Sequence, residues 1–172
     1  MESRWSAGAT SPSSDPVIHL LHRFTYGPTK ELVAEVNKIG ADAWFEKQLD
    51  HLSISDSEVD AYLAKWEIFN YIHKDMNFLW PLAESEGDIT KGQIFNSNHL
   101  AGRVLHLYTL IRQTHSNRQI FEMMVEFWHD HFSVNAQKDE FTAAFFPGYD
   151  RLIREGALGN FRAKGGGRNV HA

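Results

Sequence analysis

The densest collection of chemistry-bearing side chains is the run Val125-Glu126-Phe127-Trp128-His129-Asp130-His131-Phe132. Two imidazoles and two carboxylates fall within six consecutive residues. Neutral imidazole and carboxylate suit a divalent metal such as zinc or iron, and a bound ion would activate water. Glu126, His129 and His131 are the candidate ligands. Helix geometry restricts the set. Residues two apart point about 200° apart, so His129 and His131 cannot share one ion within a regular helix. A helix ending near His131 would lift that restriction. Glu126 and His129, three apart, do share a face. Di-iron bundles carry this Glu-x-x-His spacing twice, with two further Glu from other helices. One such motif stands here, and a solvated or partner-facing polar face explains the same spacing.

With Ile120 placed at 0° on a helical wheel, Met124, Phe127 and His131 fall within about 40° of it. His129 falls near 180°, beside Glu122 and Glu126. His131 therefore reads as a core histidine with satisfied ring nitrogens, or as a buried ligand or acid–base group. His19 and His22 share a face of an earlier helix, as do His99, Arg103 and His106 of a later one. Both sets fit helix edges, where histidine is common, or the lining of a site between helices. No Gly-rich phosphate loop, nucleophile elbow or Ser/His/Asp order is present. Gly165, Gly166 and Gly167 follow no strand and make no nucleotide fingerprint.

These side chains depend on helices. Asp15 is placed to cap a helix opened by Pro16 and closed by Gly27-Pro28. Thr29 caps a second, with Leu32, Val33, Val36 and Ile39 on one side and Gly40 as its stop. Residues 42–49 form a third that buries Trp44, Phe45 and Leu49. Ser55 and Glu58 make a capping box for a helix carrying Val59, Leu63, Trp66 and Phe69. Trp80-Pro81 ends that tract, and residues 84–91 form an acidic turn region. Leu100, Val104, Leu107 and Ile111 then mark one apolar stripe, and Ile120, Met124, Phe127 and His131 a second. Ser116 and Gln119 form a capping box between them, and the short connection predicts an antiparallel hairpin. Short helices over 139–146, 149–154 and 157–161 complete the pattern, separated by Pro147-Gly148 and Gly156. No period-2 run of β-branched residues is present. The fold class is all-α: an irregular multi-helix bundle, expected to be an incomplete domain.

Composition sets the outer bounds. The 172 residues are 42% apolar and 23% charged, which fits one helical domain over 17–162. Residues 1–16, rich in Ser, Ala, Gly and Pro, predict a flexible lead without a signal-peptide apolar region. Residues 163–172, with three consecutive glycines, predict a disordered tail. The net charge of −5 argues against broad nucleic-acid binding. No apolar run reaches the roughly 18 residues of a membrane span. The absence of cysteine excludes disulfides, thiolate catalysis and Cys-based zinc sites.

Several blocks in order resemble one family. They are His19-Leu20-Leu21-His22-Arg23-Phe24-Thr25-Tyr26-Gly27-Pro28-Thr29, residues 44–49, then Met124 through Val134 with its Phe-Trp-His-x-His-Phe core. Lys138-Asp139-Glu140, Tyr149-Asp150 and Ala157-Leu158-Gly159-Asn160-Phe161-Arg162 follow. Together they resemble the bacterial family catalogued as domain of unknown function 1800. The resemblance implies a largely helical bacterial protein, often exported to the cell envelope, with no established activity. It implies that this chain corresponds to the N-terminal part of longer members, which continue to a further Glu- and His-bearing motif. Gly156 departs from the family, where His often stands, and residues 66–80 do not match.

Three functional readings follow. The first is a noncatalytic helical fragment without a complete active site. The second is a module of a metal-dependent enzyme using Glu126, His129 and His131. The third is a partner-binding module whose apolar surface seats the missing C-terminal part or another protein.

Overall fold

The computed structural model describes residues 15–84, 100–135, 138 and 140–160, without the side chains of 82–84, 100 and 140. Within them the chain is helical, and no strand is present among the described residues. The elements are α1 (Pro16–Phe24), α2 (Lys30–Ile39), α3 (Ala41–Leu49), α4 (Ser57–Ala64), α5 (Met76–Glu84), α6 (Leu100–His115), α7 (Gln119–Phe132) and α8 (Glu140–Gly156). Short 3₁₀ segments, His51–Ser53 and Glu67–His73, flank α4. The expected lead up to residue 14, the acidic turn over 85–91 and the Gly-rich tail lie outside the described residues, as does His99.

The first three helices follow local chemistry closely. Asp15 accepts from the Val17 amide at 2.8 Å, and the Thr29 hydroxyl accepts from Leu32 at 3.2 Å. Gly40 closes α2 at φ 89°, a conformation that favours glycine. Its carbonyl receives the Trp44 amide, so α3 starts at the next residue. Leu21, Val36 and Trp44 meet Ile120 of α7 in one apolar cluster. Leu49 is exposed, contrary to the sequence pattern, and Gln48 takes the inner position. The Gln48 amide donates to the Asn117 carbonyl at 3.0 Å and accepts from the Ile120 amide at 3.3 Å. It thereby satisfies an amide that the first turn of α7 leaves without a helical partner.

The capping boxes do not form as expected. Asp56, not Ser55, is the residue before α4, and its buried carboxylate turns away from that helix. It accepts from the Ser116 hydroxyl at 2.6 Å and the Asn117 amide at 2.8 Å, pinning the α6–α7 connection to α4. Ser116 in turn accepts from the Arg118 amide, while Gln119 donates to the Ser116 carbonyl. Trp66 is exposed because α4 ends at Ala64.

Two prolines expected to stop helices lie inside them. Helix α5 starts afresh at Met76 and runs through Pro81. Helix α8 is continuous through Pro147 and Gly148, where two short helices were expected. Local breakers cost a hydrogen bond each, but burial on both sides of Pro147 outweighs that cost. Ala143, Ala144 and Phe146 are buried before it, and Asp150 and Ile153 after it. The expected helix over 157–161 is a turn as far as it is described.

Each apolar stripe marks the interior only in part: Val104 and Ile120 are buried and Ile111 and Met124 pack against the core, while other members face outward. In α6, Val104, Leu105 and Tyr108 are buried, whereas Leu107 is 43% exposed. In α7, Ile120, Phe121, Glu122 and Val125 are buried, whereas Phe127 is 52% exposed and His131 is exposed. Helix α7 lies between α1–α3 on one side, through Ile120, and α8 on the other, through Phe121, Val125 and Ile153. Helix α6 packs most heavily on α8 and the Glu67–His73 segment, rather than on α7. A cleft is left between α6 and α7.

Candidate functional site

On the side of α7 that the wheel marked as polar, Glu122 is turned inward, His129 is half-buried and Glu126 stays exposed, and all three are paired. Glu122, 1% exposed at its side chain, receives two hydrogen bonds from Nη1 of Arg154, at 3.0 and 2.9 Å. Nε of Arg154 donates to Oδ2 of Asp150 at 2.9 Å, one helical turn earlier on α8. Oδ1 of Asp150 is 2.9 Å from Nε2 of His129. The result is a continuous chain, Glu122–Arg154–Asp150–His129, crossing between α7 and α8 twice. The Arg154 guanidinium also lies over the Tyr108 ring of α6, at 5.6 Å from its centroid. Arg112 approaches the same ring at 4.8 Å.

The electrostatics follow from burial and charge. Burial pushes the Asp150 carboxyl up, but the hydrogen bond from His129 and the Arg154 charge overcome it and hold the group below its ordinary value. Burial dominates at Glu122, whose carboxyl is raised despite Arg154. Arg154 is raised: burial opposes its charge, but Glu122 and Asp150 together more than offset that. An ionised Asp150 only accepts, so the bond requires hydrogen on Nε2 of His129. That leaves Nδ1 as the nitrogen not engaged by Asp150.

His129 also lines the cleft, which has a volume of about 750 Å³. Helix α6 supplies Leu105, His106, Thr109, Leu110 and Gln113; α7 supplies Glu126, His129 and Asp130; Val134, Asn135 and Phe146 complete the wall with Ser133. The His129 and His106 rings both contact Phe146, at 5.5 and 6.0 Å between centroids. Glu126 accepts from the Tyr26 hydroxyl at 2.8 Å. Desolvation and the Glu126 carboxylate raise the Tyr26 pKa far above its usual range, keeping the phenol a donor.

The family of proteins of unknown function DUF1800 matches residues 19–163. The chain belongs to that family. No curated protein and no solved structure matches it.

Within this DUF1800 chain, the residues singled out by sequence separate. Glu126 and His129 reach one cleft, while His131 packs outside against Phe127, Trp128 and Phe132, with centroids 6.1, 5.6 and 5.1 Å away. The core reading of His131 is thus corrected: the more enclosed histidine of the pair is His129, with its side chain 17% exposed. His19 and His22 are exposed, and His106 reaches the cleft while Arg103 does not line it. Among the described residues, no three or more His, Asp or Glu side chains gather as a group that could hold a metal ion. Sequence reasoning missed Asp150, Arg154 and the inward role of Glu122. The usable signals were the i, i+4 spacing of Asp150 and Arg154, and the shared helical side of Glu122 and His129. No helix among the described residues is long and apolar enough to cross a membrane.

Proposed function

We propose that the cleft between α6 and α7 binds a small molecule and that His129 exchanges a proton with it. The observation that supports this reading is the pairing of His129 with buried Asp150 at the cleft wall. Imidazole titrates near neutrality, which suits it to accept and return protons. A general base works when its ring is held in one orientation and tautomer. Asp150 supplies that restraint, and Arg154 with Glu122 fixes Asp150 in turn. The cleft volume of about 750 Å³ lies in the range of small-molecule sites.

The test is a turnover and binding screen on the full chain with esters, amides and enolisable carbonyl compounds. His129→Ala is compared with His131→Ala, because both change a histidine and only the first alters the cleft. The reading requires activity that is lost in the first variant and kept in the second. Turnover that survives in folded His129→Ala protein contradicts it. So does a screen in which no compound is turned over or perturbs the His129 ring.

A further inference from the structure

Six carboxylates beside α6, α7 and α8 fall into two groups. Those between helices meet a guanidinium: Glu122 and Asp150 share Arg154, and Asp56 and Asp60 share Arg112. The two on the cleft wall do not. Glu126 accepts from Tyr26, a neutral donor. Among the described residues, Asp130 has no side-chain hydrogen bond or ion pair and no Lys or Arg lines the cleft. The last turn of α7 ends at the same place, with left-handed Ser133 closing it at φ 52°. A helix C-terminus carries partial negative charge on its free carbonyls. Helix α6 brings Leu105 and Leu110 to the cleft beside polar His106, Thr109 and Gln113, and Val134 and Phe146 add apolar surface.

From this arrangement we infer that the cleft selects a small organic cation, a protonated amine carried on an apolar body. The inference rests on the cleft being the functional site and adds the class of molecule it takes. The ammonium group lies toward Glu126, Asp130 and the end of α7, and the apolar body lies along Leu110 and Val134. An anion meets two carboxylates and, among the described residues, no lysine or arginine on the wall.

The experiment uses the full chain at pH 8, with benzylammonium, benzyl alcohol and benzoate as probes of equal shape and different charge. Binding is followed through NMR shifts of the cleft residues. Saturable shifts at His129 and Glu126 are expected with benzylammonium and not with benzoate. Glu126→Gln with Asp130→Asn should weaken benzylammonium binding about five- to tenfold, and salt should weaken it in the unaltered protein. Both side chains are exposed, so the double variant keeps the fold, which circular dichroism verifies. Benzoate or benzyl alcohol binding the cleft as tightly as benzylammonium overturns charge selection and leaves the acid–base reading standing. Benzylammonium binding that is indifferent to the two substitutions does the same. If no probe shifts any cleft residue, the cation inference and the reading beneath it both fall.

Discussion

Nε2 of His129 and Oδ1 of Asp150 stand 2.9 Å apart, joining the last turn of α7 to the middle of α8. The bond ties the aromatic and histidine-bearing end of α7 to a buried ion network. Asp150 faces two partners at once, since its other oxygen receives Nε of Arg154. Stability and proton chemistry therefore meet in one carboxylate.

Arg154→Met should destabilise the protein by about 3–5 kcal/mol, because it leaves Glu122 and Asp150 buried without their counter-charge. Arg151→Ala, on the exposed side of α8, should stay within about 0.5 kcal/mol of the unaltered protein. A double variant, Glu122→Leu with Arg154→Met, should recover part of the loss, since it removes a buried charge with its partner. Urea unfolding of the three variants measures each value.

The two carboxylates of the network should respond to acid with opposite sign. The Asp150 carboxyl is held below its ordinary value of 3.8 in the folded state. Its contribution is complete above the unfolded value and lost as pH falls through the folded one. The Glu122 carboxyl is raised above its ordinary value of 4.5. Its contribution is complete below that value and lost as pH rises through the folded one. Stability measured by urea unfolding between pH 2 and 7 should therefore lose part of its acid decline in Asp150→Asn. In Glu122→Gln the component lost above pH 4.5 should vanish. The reverse pattern contradicts the assignment.

Leu105→Ala should cost about 2–5 kcal/mol, because the side chain is 2% exposed and α8 packs over it. Leu107→Ala, two residues away and 43% exposed, should cost less than about 1 kcal/mol. Thermal or urea unfolding separates the two, and equal losses would show that the phase of α6 is wrong.

Much of the helical framework was legible from residue type alone. Asp15, Thr29 and Gly40 punctuate α1 to α3 because capping depends on neighbours in sequence. Pro81 and Pro147 misled, because the packing that overrides a local breaker comes from distant residues. The site was harder to read. An apolar stripe counted Ile120, Met124, Phe127 and His131, of which Ile120 and Met124 pack inward and Phe127 and His131 lie outside. The inner face also carries buried Glu122 and half-buried His129, held there because α8 supplies Arg154 and Asp150. Those partners lie 21 and 32 residues further along the chain, and spacing within one helix does not reveal them.

Asp56→Ala should loosen the join between α4 and the α6–α7 connection. It strips the Ser116 hydroxyl and the Asn117 amide of their acceptor. Leaving the buried Ser116 hydroxyl unpaired costs about 1–3 kcal/mol, and the part-buried Asn117 amide adds less. Hydrogen exchange at Asn117 should accelerate relative to the core of α8. Unchanged protection at Asn117 would show that the bond does not hold the connection.

The most direct measurement of the central claim is the tautomer of the His129 ring, read by long-range ¹H–¹⁵N NMR on the full chain above the ring's titration. The geometry predicts hydrogen on Nε2, bound to Asp150, and a bare Nδ1. The Asp150→Asn variant should lose this preference. An Nδ1–H ring, or a mixture that Asp150→Asn leaves unchanged, would contradict the account of His129 as an oriented acid–base group.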